Sequence, residues 1–188
     1  MAKNNLPKGC YWAIKKYFDP NIYFLKNGFK LLSQTKISSF ANIDLKKLWQ
    51  RKYMFFGDFK AVSIETKDYF FFYEQHPGQL YHCDLPNGKI ANETDNQIVC
   101  FFWYPDAKTC GLKVYSNNQM IRHIESESDY SITTNVGNLL ENEDELIAIS
   151  KSFNEQQLIQ YLINLKIDIP TDIKSSLDLN PTLYTIIR

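Results

Sequence analysis

From residue 52 onward the hydrophobic positions repeat with a period of two. The runs KYMFFG, FKAVSIE, DYFFFYEQ, QLYHCD and QIVCFFWY are short, rich in aromatic and β-branched residues, and separated by turn chemistry, which predicts strands. The links at Gly57-Asp58 and Lys67-Asp68 are too brief for crossover helices, so neighbouring strands are expected to pair antiparallel, as a meander. The segment 85–96, with Pro86, Asn87 and Gly88, reads as a longer polar excursion at the rim. In GLKVYSNNQMIRHIES, Leu112 and Val114 alternate with Lys113 and Tyr115. After Asn117-Asn118, the series Met120, Arg122, Ile124 opposes Ile121, His123, Glu125. Asn tolerates the positive φ of tight hairpin turns, so Asn-Asn predicts a hairpin here.

On either side of this region the pattern lengthens toward a helical period. Ile22, Phe24, Leu25, Phe29 and Leu32 stand near helical spacing, and Asn42 or Asp44 can cap a run containing Ile43, Leu45, Leu48 and Trp49. After residue 138, LLENEDELIAISKSF and NEQQLIQYLINLKI read as helices. In the second of these, Asn154 is the cap and Leu158, Tyr161, Leu162 and Leu165 form the apolar stripe. Pro170 closes that helix, and the tail 171–188, interrupted by Pro181, holds a short helix and an extended end. The expectation is a single α+β domain. It has an N-terminal helical or mixed part over 1–50, a central antiparallel sheet of roughly six to eight strands over 52–134, and C-terminal helices over 138–188 against one face.

A chain of 188 residues suits one domain with a sizeable core, and 44% hydrophobic with 15% aromatic residues places it among globular chains. The net charge of zero argues against a nucleic-acid binder held by a basic face. That zero is partitioned: residues 1–67 carry 13 basic and 4 acidic side chains (+9), and residues 68–188 carry 8 and 17 (−9). Either the two parts pack against each other, or one stays uncovered and steers a partner of opposite charge. The N-terminus has no apolar run of signal-peptide length and the chain no membrane-spanning run, so a cytoplasmic protein with no membrane partner is expected. Cys10, Cys83, Cys100 and Cys110 form no C-x-x-C pair, which predicts reduced thiols.

Candidate chemistry is sparse. His76, His82 or Cys83, and Cys100 or Cys110 make a conceivable zinc set, but His82 and Cys83 would point to opposite faces of one strand. No metal and no cofactor is expected. Nucleophile elbows, phosphate loops and H-E-x-x-H are missing, which leaves a dyad of Cys100 or Cys110 with His123 as the enzymatic alternative. Glu141, Glu143, Asp144 and Glu145 are read as acids complementing a helix N-terminus rather than as paired catalytic carboxylates. The runs FFFYEQ and CFFWY are apolar on both faces, which requires either cover on the second face or an exposed aromatic patch. For such a patch Trp103, Tyr104, Arg122 and His123 are the candidate binding residues, because Trp, Tyr and Arg dominate binding hot spots. The competing reading puts Trp103 in the core and Arg122 on a local carboxylate.

One set of residues carries a resemblance. Gly111, the run VYSNN, Arg122, the acidic and serine stretch 125–129, Asn135-Val136-Gly137, Leu139, Leu140 and Glu143 stand in an order similar to that of small bacterial proteins of unassigned function. Some of these look like immunity proteins that neutralise toxins exchanged between competing bacteria. The resemblance covers 111–145 and implies a cytoplasmic protein-binding module whose partner is a cognate toxin. The alternatives are a small-ligand protein or enzyme with a pocket between sheet and helices, and a homodimer that buries the aromatic patch.

Overall fold

Among the described residues nine strands form one antiparallel sheet. The computed structural model describes residues 9–15, 19, 22, 25, 30–36, 59–65, 68–74, 81, 88, 91, 97–140, 143, 150–167 and 182–187. In chain order the strands are β1 (Gly9–Lys15), β2 (Lys30–Lys36), β3 (Phe59–Glu65), β4 (Tyr69–Glu74), β5 (Ile98–Tyr104), β6 (Thr109–Ser116), β7 (Gln119–Glu127), β8 (Ser131–Gly137) and β9 (Thr182–Ile187). Among the described residues the one regular α-helix is α1 (Glu155–Asn164). The described chain is thus mostly sheet, with a helix in its C-terminal part.

The spatial order is β2-β9-β3-β4-β1-β5-β6-β7-β8, which corrects the expected meander. Only β3-β4 and β5 to β8 follow sequence order. The N-terminal β1 lies between β4 and β5, where Trp12 pairs with both Phe72 and Cys100, and the C-terminal β9 lies between β2 and β3. A strand that is apolar on both faces, as Cys-Tyr-Trp-Ala-Ile is, cannot sit at a wet edge, so the centre of the sheet takes it. The helical or mixed reading of 1–50 agrees with the helical backbone at Ile22 and Leu25 and fails at β1 and β2. Residues 9–15 and 30–36 are strands, Leu32 belongs to β2, and Ile22 and Leu25 have helical backbone but face solvent. The run capped by Asn42 or Asp44, and KYMFFG, lie outside the described residues.

Both faces of the sheet carry a core, as strict alternation along β1, β4 and β5 requires. Tyr11, Phe71, Phe101, Trp103, Leu112 and Ile124 point to the face that α1 covers with Leu158, Tyr161 and Leu162. Cys10, Trp12, Phe72, Cys100, Phe102 and Tyr115 point to the opposite face and meet Tyr81 and Ala91. Burying each such large apolar side chain is worth about 1.5–3 kcal/mol. Of the segment expected as a polar rim, Gly88 and Ala91 have helical backbone and are buried, and Gly88 lies against the Asn118 backbone of the β6–β7 turn.

The Asn-Asn hairpin forms as expected, with φ 48° at Asn117 and 65° at Asn118, the two positive values that a type I′ turn demands. Register shifts interrupt three pairings, β2–β9 at Leu32, β7–β8 at Thr133 and β6–β7. β7 carries a bulge at Ile121, since Val114 pairs with Arg122 and Tyr115 with Met120. Met120 consequently joins the face opposite to that of Arg122, contrary to the regular alternation.

α1 begins with a capping box: the Asn154 side chain accepts from the N–H groups of Gln156 and Gln157, and Gln157 Oε1 accepts from the Asn154 N–H. Immediately before it, residues 151–153 are fastened to the β7–β8 turn, with a bridge between Ser131 and Ser152 and a bond from Phe153 N–H to the Tyr130 carbonyl. Helix was expected through 139–153. Leu139, Leu140, Glu143 and 150–153 are instead outside any helix, and the other residues of that run lie outside the described ones.

Candidate functional site

Four side chains were expected to share a patch, and the sheet separates them into two pairs. Trp103 pairs with Cys110 and Arg122 with Val114, on the face that α1 covers. Tyr104 and His123 belong to the opposite face. Trp103 is a core residue, 9% exposed, with its Nε1 lacking a hydrogen-bond partner among the described residues. Tyr104 is half-buried beside Phe102, with its hydroxyl 3.2 Å from Cys10 Sγ.

Arg122 is the centre of the most complete polar arrangement in the described chain. β7 delivers it to the buried side of the sheet beneath α1, where all five guanidinium N–H groups find acceptors. Nε donates to both Glu143 oxygens (3.3 and 3.2 Å), and Nη2 donates to Glu143 Oε1 (2.9 Å) and the Tyr161 hydroxyl (3.4 Å). Nη1 donates to Asn135 Oδ1 (2.7 Å) and the Val136 carbonyl (3.0 Å). Glu143 also accepts from the Tyr161 hydroxyl and from the Leu140 N–H at 2.8 Å.

The Arg122 and Glu143 side chains are each 1% exposed, so both charges depend on these partners rather than on water. Burial alone would lower the Arg122 pKa. The hydrogen bonds that Arg122 donates to Glu143 and Tyr161 outweigh burial and hold the guanidinium above its ordinary value. Burial, followed by the Glu143 bond, pushes the Tyr161 phenol up. Glu143 was read as an acid at a helix start; it is instead the counter-ion of Arg122, in a turn closed by its own N–H on the Leu140 carbonyl. Glu141, Asp144 and Glu145 lie outside the described residues.

The opposite face of β6 and β7 carries a second, looser group. His123 Nε2 is 2.8 Å from Glu125 Oε2, both half-buried, and Lys113 donates to the Tyr81 carbonyl (3.2 Å) with its Nζ 4.6 Å from the centre of the Tyr81 ring. Gly111 makes room for this cluster. A Cβ there would lie 2.7 Å from the Tyr81 hydroxyl and collide with the Phe102 ring, which meets Tyr81 edge-on at 5.0 Å.

The proposed Cys–His dyad is not assembled. Cys110 faces α1, on the side away from His123, and its thiol donates to the Phe153 carbonyl at 3.0 Å. Burial raises this thiol to about 12, which leaves no thiolate to attack anything at neutral pH. Cys100 shares the His123 face, but Lys113 stands between them, a separation of two strand spacings or roughly 10 Å. Cys10, Cys100 and Cys110 are buried thiols outside any disulfide among the described residues. Among the described residues no group of three or more His, Cys, Asp or Glu is placed to hold a metal ion. His76, His82 and Cys83 lie outside them. No helix among the described residues is long and apolar enough to cross a membrane.

Sequence reasoning did not single out Asn135 and Tyr161 as partners of Arg122, nor the Leu140 N–H as a partner of Glu143. The available signal was an Arg on the apolar face of a strand, which must find a counter-ion. Its identity was not available from spacing. The exposed features of this region are Val136 (55%) and Leu139 (50%), which flank the end of β8 beside the Arg122 cluster. No family model matches this chain, and no curated protein and no solved structure matches it.

Proposed function

We propose that this chain is a protein-binding module of the immunity type, which acts by occupying a partner such as a bacterial toxin rather than by catalysis. The observation that carries the reading is the contrast around Arg122. Its charged group is wholly consumed in holding β7, β8, α1 and residue 143 together, while Val136 and Leu139 on the same framework stay more or equally exposed as buried. Rigid support with exposed apolar side chains suits recognition. The residues that carry the resemblance fit it too: Gly111, Arg122, Asn135, Gly137 and Glu143 all serve packing or the buried network. What they would transfer between relatives is a scaffold.

The reading takes the chain as one cytoplasmic α+β domain. The test is an affinity capture from the native cell extract, with the product of the adjoining upstream gene included, followed by mass spectrometry across a salt series. A stoichiometric protein partner that lowers a toxin's activity in reconstitution is the expected result. Turnover of a small molecule with no protein retained would sink the proposal.

A further inference from the structure

Among the described residues, β9 is what joins β2 to the rest of the sheet. It pairs antiparallel on both edges, Tyr184 with Gln34 of β2 on one side and with Ala61 of β3 on the other. β2 and β3 therefore run parallel to each other, about 10 Å apart with β9 between them. β3 has a second partner in β4, whereas β2 pairs with β9 alone among the described residues. The dependence runs one way. β2 can leave while β9 stays on β3, but β9 cannot leave without removing the only strand partner of β2 described. To close the gap, β2 would have to move in by one strand spacing and trade an antiparallel ladder for a parallel one.

We propose that β9 is a releasable latch, which leaves the sheet together with β2 and uncovers the edge of β3 while β1, β3 to β8 and α1 stay folded. The packing that holds the remainder does not draw on the latch. Among the described side chains, the core on the α1 face comes from β1, β4 to β7 and the stretch 153–167, and the opposite core from β1 and β4 to β6 with Tyr81 and Ala91. β2 instead exposes Lys30, Gln34 and Lys36. Its ladder with β9 is interrupted by the register shift at Leu32. Each pairing of β9 joins residues far apart in the chain, so its place rests on ladder bonds and not on a hairpin turn. Residues 168–181 separate it from α1, a length that at about 3.3 Å per residue lets the strand leave while α1 stays docked. Units at the low-stability end of a fold open in this way without global unfolding. The sheet thus has a concealed edge on β3, presented only when the latch opens.

The test is residue-resolved amide exchange of the full chain in low urea. The amides of 30–36 and 182–187 are expected to exchange at least about ten-fold faster than those of 98–104. Within β3, the amides directed at β9 are expected to exchange with the latch and those directed at β4 to stay protected. Two proline variants read the one-way dependence. Tyr184→Pro removes a ladder N–H from a strand paired on both sides, and is expected to deprotect β9 and β2 while 98–104 is unchanged. Proline at whichever of Gln34 or Thr35 directs its N–H at β9 is expected to deprotect β2 alone. Exchange of 182–187 only at the urea concentrations that open 98–104 would overturn the latch. So would uniform exchange along β3, retained protection of 30–36 in Tyr184→Pro, or loss of protection at 98–104 in that variant.

Discussion

Arg122 on β7 and Glu143 beyond β8 meet at 2.9 Å with both side chains removed from water, and through Tyr161 they tie the sheet to α1. Such a pair stabilises little relative to apolar residues of similar volume, yet losing one partner strands the other charge. Arg122→Met or Glu143→Leu alone is expected to cost about 3–5 kcal/mol. The double variant is expected to recover a large part of that. Urea denaturation of the four proteins measures the coupling, and additive losses would show that the pair is not a unit.

Stability is expected to fall at alkaline pH. Burial is the main cause that raises the Cys110 thiol from 9.0 to about 12, opposed by the Ser126 hydrogen bond. The folded chain therefore keeps a proton that the unfolded chain releases. This contribution is fully present below about pH 9.0 and is lost as pH rises toward about 12. The raised Tyr161 phenol acts in the same direction at higher pH. Denaturation midpoints between pH 7 and 11 check the slope, and Cys110→Ala is expected to flatten its first part. A native Cys110 that reacts rapidly with a thiol reagent at neutral pH would contradict its placement.

Gly111→Ala is expected to destabilise by about 1–3 kcal/mol through overpacking against Phe102 and Tyr81. Gly137→Ala should cost more. It adds a Cβ against the Ile121 carbonyl, which is backbone and cannot swing away, at φ +99°. Thermal melts of the two variants rank them, and equal or reversed losses would count against the close approach at Gly137.

Removing the cap of α1 by Asn154→Ala is expected to cost about 1 kcal/mol. Because α1 carries Tyr161, the loss should be accompanied by faster amide exchange at Leu140, whose N–H is bound to Glu143. Exchange confined to the first turn of α1 would show that cap and buried network are independent.

Periodicity and turn chemistry alone determined β3 to β7 as strands, the Asn117-Asn118 hairpin and the Asn154 start of α1, because these depend on residues near one another in the chain. They also left Trp103 and Arg122 with two destinations each. The tertiary structure decided between them, placing Trp103 in the core and Arg122 on Glu143. It alone placed β1 at the centre and β9 between β2 and β3, since an apolar strand records that it is buried but not which strand it pairs with. The Ile121 bulge, which separates Met120 from Arg122, is likewise absent from any hydrophobic pattern. Pairing, register and counter-ion are settled by contacts far apart in sequence, so local pattern set β3 to β7 and the start of α1, while long-range packing made strands of 9–15 and 30–36 and set where each element faces.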